Sequence, residues 1–332
     1  MNSPSHLGWP RTWVCLLASL LALVSPGLFA ANPRIAVSKT PLSLPLYVAQ
    51  EKGFFEKFKV YPELLECMGG VKCVQEMLAG RADLATSSEL PIVFTAFERD
   101  DFQIITTFVT NKDDMRFVIR KATVKPDLSN LAGKRVGFVA KSSSHYFMDL
   151  FLLYQGIDPG QVVKVPMPPE QMPNAIQQGE VDAIAVWEPF GYLSLKLADG
   201  TVQAVQVPRL YTQSFNLSCR KSFCETSTRD IDAVMLALKA SVEFIQKKPD
   251  EAKQIMMRHT GLDREFVDKA WNTYIFQLSL RQSLVTTMEG EAKWAIRERH
   301  VKADSTLPQL SRVIEPRFLM KLNTNAVDFG LR

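Results

Sequence analysis

The sequence predicts an α/β protein of two lobes, each a sheet with a parallel core and flanking helices. Three observations carry that expectation. Short apolar runs alternate with helical patterns from Asn32 to Val207, the order that builds parallel sheets with helices on both faces. The alternation falls into two units, separated by a polar connector at Lys121–Asn130 and by a return crossing near Thr212. Beyond Thr228 the pattern is helical. The expected layout is therefore 1–31 as a leader, 32–120 as the first part of lobe 1, 121–212 as lobe 2, and 213–332 as the C-terminal helices completing lobe 1. Two segments joining two lobes make a hinge. In open α/β sheets the ligand sits beyond the carboxyl ends of the strands, which here means the cleft.

The elements follow in order. Arg34–Ser38 reads as a strand, and Pro45–Phe58 as a helix broken at Gly53 before an aromatic cluster. Lys59–Glu66 is the next strand, Val71–Ala79 a helix ended by Gly80, and Ala82–Thr86 a strand. Ser87-Ser88 opens a helix to Arg99. Gln103–Val109 and Arg116–Arg120 are strands. In the second unit, Val136–Ala140 is too short and apolar for a helix and reads as a buried strand. The turn Lys141-Ser142-Ser143-Ser144 leads to a helix to Tyr154, with Tyr146, Phe147, Leu150, Phe151 and Tyr154 on one face. Strands at Val162–Val165, Ala183–Val186 and Val202–Val207 alternate with helices at Glu170–Gln178 and Pro189–Leu197, and Phe215–Arg220 adds a strand. Helices at Asp230–Gln246, Pro249–His259, Asp263–Tyr274 and Thr287–Arg299 fill the last third.

Composition bounds the function. The 332 residues are 46% hydrophobic and 22% charged, with formal net charge +4 and no Lys/Arg block; this ordinary globular balance gives no basis for nucleic-acid binding. Arg11, the uncharged run Trp13–Leu23, the helix-breaking Ser25-Pro26-Gly27 and the small pair Ala30-Ala31 form a secretory signal pattern, with cleavage expected near Ala30 or Ala31. The run is shorter than the ~20 residues of a membrane span; an uncleaved anchor is the competing reading. Of five cysteines, Cys67, Cys73, Cys219 and Cys224 follow the leader, an even number in an exported chain, which fits two disulfides. Three pairings are open; the local ones, Cys67–Cys73 and Cys219–Cys224, each close a short polar loop and are favoured. Neither spacing is the C-x2-C of zinc knuckles, and histidine is scarce, so no metal site and no cofactor is expected.

Certain segments resemble a known family. Pro45–Phe55 (PLYVAQEKGFF), Gly80–Ala85 (GRADLA), Leu131–Gly137 (LAGKRVG), Ser142–Tyr146 (SSSHY), Gly179–Ala183 (GEVDA) and Trp187–Phe190 (WEPF) are similar, in order and spacing, to signatures of nitrate/sulfonate/taurine-type substrate-binding proteins of ABC importers. The resemblance implies a periplasmic binding protein-like fold of type II, a Venus flytrap. It also implies a small anionic or zwitterionic solute in the cleft, partnership with permease and ATPase subunits, and a monomer. Lys141 departs from the pattern, since many members carry glycine there.

Candidate ligand contacts are the strand-to-helix turns. In lobe 1 these are Thr40 and Pro41 after the first strand, Tyr47 with its hydroxyl and flat face, Gly70, and Ser87-Ser88-Glu89. In lobe 2 they are Ser142, Ser143, Ser144, His145 and Tyr146, with Trp187 and Glu188. Each has a structural reading beside the ligand-binding one: the serines as helix caps, Tyr47 and Trp187 as core, Glu188 as a carboxylate stabilised at a helix start. His145 has no visible Asp or Cys partner in sequence, so catalysis is not expected. Three functions compete: a solute-binding protein of an importer, a pyrimidine-synthase-like enzyme of the same fold, and a periplasmic sensor. The family's enzymes carry a cysteine-rich motif absent here, so the first reading leads.

Overall fold

The computed structural model describes residues 32–328. Its chain runs β1 (Arg34–Ser38), α1 (Leu44–Glu51), α2 (Phe54–Lys57), β2 (Glu63–Cys67), α3 (Gly70–Leu78), β3 (Leu84–Ser88), α4 (Glu89–Ala96), β4 (Phe102–Asn111) and β5 (Met115–Arg120). It continues β6 (Arg135–Phe138), α5 (Ser143–Tyr154), β7 (Val163–Pro166), α6 (Met172–Gln178), β8 (Ala183–Trp187), α7 (Phe190–Leu197) and β9 (Val202–Val205). The last part is β10 (Gln213–Arg220), α8 (Lys221–Thr226), α9 (Thr228–Lys247), α10 (Pro249–Thr260), α11 (Arg264–Ala270), β11 (Tyr274–Ser279), α12 (Gln282–Arg297) and α13 (Arg317–Leu322).

Two sheets result. The six-stranded one has the order β11-β4-β10-β3-β1-β2 and the five-stranded one β7-β6-β8-β5-β9. Each has a parallel core, β2-β1-β3 and β7-β6-β8, with antiparallel strands added on one side. The central strands β3 (LATSS) and β8 (AIAVW) are buried at every position, as expected of strands covered on both faces. Each sheet has its own apolar core. The chain crosses from the first sheet to the second between β4 and β5 and returns between β9 and β10. Helix α9 buries Ile231, Val234, Met235, Leu238, Val242 and Ile245, a face of 3.6-residue period, and packs on α1, α2 and the edge strand β11.

The two cores share one anchoring device. At the start of β1, the Arg34 N–H donates to Asp83 Oδ2 (2.9 Å) while its guanidinium reaches Asp83 and the carbonyl of Gly80 (2.9 Å). At the start of β6, the Arg135 N–H donates to Asp182 Oδ2 (2.9 Å) and its guanidinium reaches Asp182 and the carbonyl of Gly179 (2.7 Å). Gly80 and Gly179 are left-handed, with φ 74° and 76°, where a side chain is disfavoured. The segments GRAD and GEVD thus cap the preceding helix and clamp the amino end of a central strand.

Several expectations are corrected. Tyr274–Ser279 is a strand, not the end of a helix. Its burial alternates along Tyr274, Ile275, Phe276 and Gln277, the period-2 pattern of β-branched and aromatic residues. Helix α12 begins five residues before the expected Thr287. Ser87 and Ser88 end β3 rather than opening a helix, and Ser88 makes no side-chain cap. Pro189 precedes α7 instead of starting it. The leader expected at 1–31 lies outside the described residues, among which no helix is long and apolar enough to cross a membrane.

Asp83 and Asp182 are pushed up by burial, but hydrogen bonds from Arg34, Arg220 and Arg135 outweigh this and hold both carboxyls below their ordinary range. A depressed carboxylate stabilises the fold above its unfolded pKa and loses that contribution as pH falls through its folded pKa. Asp83→Asn and Asp182→Asn should each lower stability at pH 7 by about 1–3 kcal/mol in urea unfolding. The difference from wild type should shrink below about pH 4. Solute affinity should stay unchanged, because both residues lie at the amino ends of the strands.

Candidate functional site

The carboxyl ends of β1, β3 and β8 and the turn that follows β6 meet at one small cavity. Ser38 and Thr40 enter from the end of β1, Gly69 and Gly70 from the start of α3, and Ser88 from the end of β3. Ser142 and Ser143 come from the start of α5, Trp187 from the end of β8, and Gln213 and Phe215 from the returning strand β10. Three helices of eight residues or more, α3, α4 and α5, begin here, and their free N–H groups and dipoles favour negative charge. Ser38 Oγ and Thr40 Oγ1 are buried and have no hydrogen-bond partner among the described residues. No Lys or Arg lines the cavity. The two sheets touch directly across it: Ser143 Oγ donates to Ser88 Oγ at 2.8 Å.

Gly70 has a steric reason for its identity. A Cβ there would lie 2.8 Å from Ser87 Cβ and 2.9 Å from Ser87 Cα, distances that real Cβ atoms do not adopt. The start of α3 can therefore lie against β3 only because the side chain is missing.

Some expected residues have structural partners or stand elsewhere. Ser142 is the N-cap of α5, accepting from Ser144 N (3.2 Å), and Ser144 Oγ donates to the Ala185 carbonyl (2.7 Å). Ser144 is thus a strap between α5 and β8. Tyr47 is buried under the cavity, stacks on His259 with centroids 4.3 Å apart, and points its hydroxyl at the Ser38 carbonyl. Pro41 starts the short turn below Thr40, and Ser87 lies behind Gly70. Glu188 is taken by Arg116, whose Nε lies 2.8 Å from Oε1, and accepts from Tyr192 N (2.9 Å); burial pushes its carboxyl up, and Arg116 opposes this. Tyr146 packs against Trp294 and Tyr211. His145 does not reach the cavity and packs among Phe138, Trp294 and His300. The structure pairs Cys67 with Cys73 beside the cavity and Cys219 with Cys224 at the end of β10.

Glu89 is fully buried directly behind Ser88. Its Oε2 accepts from Ser214 N (3.0 Å), and Oε1 has no partner among the described residues. Burial pushes its carboxyl up to about 8. Glu291 of α12, also fully buried, is pushed well above its ordinary value by burial and by Glu89. A second small cavity shares Gln213 with the first and is lined by Asn111, Asp114, Phe147 and Tyr211, with exposed Lys112 at its edge. Neither oxygen of Asp114 has a partner among the described residues, and burial pushes this carboxyl up to about 8, with Glu188 adding to the effect. Asp114, Tyr211 and Gln213 belong to the crossing segments. They carry no turn motif, so reasoning from strand-to-helix turns passed over them.

A family model described as NMT1/THI5 like matches residues 40–252. The chain belongs to the NMT1/THI5-like family. Among its relatives in sequence is a Bacillus subtilis (strain 168) protein named for aliphatic-sulfonate binding, 22% identical over 265 residues, or 77% of this chain and 79% of that one. The taurine-binding periplasmic protein of Escherichia coli (strain K12) is 25% identical over 174 residues, 52% of this chain and 53% of that one. The chain is similar in structure to the periplasmic aliphatic sulphonate binding protein SsuA from Escherichia coli, with TM-score 0.70 and 17% identity, covering 86% of this chain and 92% of that one. At that identity the likeness carries the two-lobed fold alone. Membership of the NMT1/THI5-like family agrees with the solute-binding resemblance of the segments between Pro45 and Phe190.

Gly70→Ala should force α3 away from β3. Such overpacking costs about 1–3 kcal/mol, and calorimetric titration of the cleft ligand should show at least a tenfold loss of affinity from the displaced N–H groups. Unchanged affinity would mean that α3 does not contact the ligand.

Proposed function

We propose that the exported chain captures a small organic zwitterion, an aminosulfonate or a close analogue, and delivers it to the permease and ATPase subunits of an ABC importer. Lobe 1 (residues 32–111 and 213–332) and lobe 2 (115–212), whose first boundary falls before β5, a strand of the second sheet, rather than at the expected 120/121, close over the solute, with no turnover. The observation that carries this reading is the pairing of opposite needs in one cleft. At one end, helix starts and unpartnered hydroxyls of Ser38 and Thr40 accommodate negative charge without a fixed cation. At the other, Asp114 lines a cavity with no partner for either oxygen among the described residues; Glu89, buried behind Ser88 and lining neither cavity, has one oxygen without a partner among them. A buried carboxylate left without a counter-charge is strongly unfavourable, so an ammonium on the solute supplies what the protein lacks. The taurine-binding relative supports this reading, as do the aromatic walls of Trp187 and Phe215, which suit an organic solute over nitrate.

The titration behaviour is distinctive. For Glu89 and Asp114 the folded pKa of about 8 exceeds the ordinary values of 4.5 and 3.8. The ligand-free fold therefore gains from them at low pH and loses that gain as pH rises through 8. A cationic group needs them ionised, so solute affinity should rise with pH up to about 8 and then level, with proton release visible as a buffer-dependent enthalpy. Glu89→Gln and Asp114→Asn should raise the ligand-free melting temperature at pH 8 while weakening an aminosulfonate at least tenfold.

Thermal shift of the mature protein against a panel tests the solute class, since binding stabilises by about RT ln(1 + [L]/Kd). Aminosulfonates should shift the transition more than unsubstituted alkanesulfonates, and nitrate should not shift it. Equal binding of alkanesulfonates would remove the role of the carboxyls. A preference for aminopyrimidines would move the solute to thiamine-precursor chemistry.

A further inference from the structure

His145 and Asp149 lie one turn apart on the same face of α5, and His300, just beyond α12, meets them from the other lobe. One donor atom from each lies within 4.8 Å of the other two. From these positions we infer a transition-metal site of two imidazoles and one carboxylate, spanning the two lobes outside the solute cleft.

The donor chemistry is favourable. Imidazole with carboxylate suits Zn²⁺, Co²⁺ or Ni²⁺, and helix spacing i, i+4 is a recurring way to present two ligands to one ion. His145 is only 6% exposed, yet neither ring nitrogen has a hydrogen-bond partner among the described residues. Buried polar groups are normally partnered, so an imidazole with two idle nitrogens beside a third, His300 Nε2, among the described residues is a site prepared for an electrophile. Asp149 is fully buried, and its Oδ2 accepts from Trp294 Nε1 (3.1 Å), the kind of outer hydrogen bond that orients a ligating carboxylate. His300 Nε2 lies 3.7 Å from the same oxygen. Tetrahedral zinc with bonds of about 2.0–2.1 Å needs donors about 3.3 Å apart, so side-chain rotations of about 1 Å would close the site, with water as the fourth ligand.

One group opposes the ion. Lys164 Nζ lies 2.8 Å from Asp149 Oδ1, and its side chain is 26% exposed, so it can swing to water as metal enters. Its presence gives the test a sign. Metal at this position would also tie lobe 1 to the helix whose first residue, Ser143, lines the cleft.

The test uses the full mature chain, with any affinity tag removed and stripped with EDTA, titrated with Co²⁺ and Zn²⁺ alone. One Co²⁺ per chain should bind with the visible absorption of a tetrahedral site, and 100 μM Zn²⁺ should raise the melting temperature by several degrees. His300→Ala, at a half-buried position, should abolish both effects. Asp149→Asn should weaken binding at least tenfold, whereas Lys164→Gln should tighten it about tenfold. His145→Ala is the harsher variant; if it does not fold, the His300 and Lys164 variants decide. Absence of binding at 100 μM, binding unchanged by His300→Ala, or binding weakened by Lys164→Gln would each overturn the site. A loss of solute binding with intact metal binding would concern the cleft alone.

Discussion

A carboxyl group withdrawn from water must be neutralised by a proton, a cation or hydrogen-bond donors. Glu89, Glu291 and Asp114 are buried, and among the described residues none of the three has a salt-bridge partner, although Arg116 acts on Asp114 from further off. By contrast Glu188, Asp83 and Asp182 each have an arginine. The distinction follows position. Carboxyls at the amino ends of the strands are paired and hold the fold; Glu188, at a carboxyl end, is paired with Arg116 from the neighbouring strand. Those at the floor and back of the cleft are left protonated or for a partner to complete. Carboxyls of the same type thus differ by whether they are charge-paired.

The same separation explains the hydroxyl groups. Ser142, although it lines the cavity, is spent on the α5 start and Ser144 on β8, so of these three serines Ser143 is the one that bridges to Ser88. A ligand that enters between the lobes must break or share this bridge. One weak neutral hydrogen bond is worth only ~0.5–1.5 kcal/mol, so the bridge can hold a closed arrangement without competing strongly with a solute.

Much of this was legible in the sequence because it rests on local chemistry. Alternating runs place both sheets, Gly53 breaks its helix with φ 64°, and GRAD and GEVD mark equivalent clamps. The strand β11 was lost because an aromatic-rich stretch directly follows a helix; its period of two is visible only once the helix is ended at Ala270. The cleft was half legible. Thr40, Gly70, Ser88, Ser143 and Trp187 sit at turns with recognisable signals. Asp114 and Gln213 sit on crossing segments, where position depends on how the two sheets are placed and no short motif announces it. The partnership of His145, Asp149 and His300 needs a contact between residues 145 and 300, which no local pattern encodes.

Lys141 shows how a departure from a family pattern resolves into geometry. Its backbone has φ 56°, in the left-handed region, where glycine is at ease and another residue is strained by about 1–2 kcal/mol. The side chain does not enter the cleft. Its ammonium lies over the Phe94 ring, 5.5 Å from the centroid, and Phe94 belongs to α4 of the opposite lobe. A cation–π contact of this exposed kind is worth about 0.5–1 kcal/mol, less than the strain, and it exists only when the lobes are together. Lysine here therefore brings no charge to the bound solute. It exchanges backbone ease for an attraction between the turn before α5 and α4.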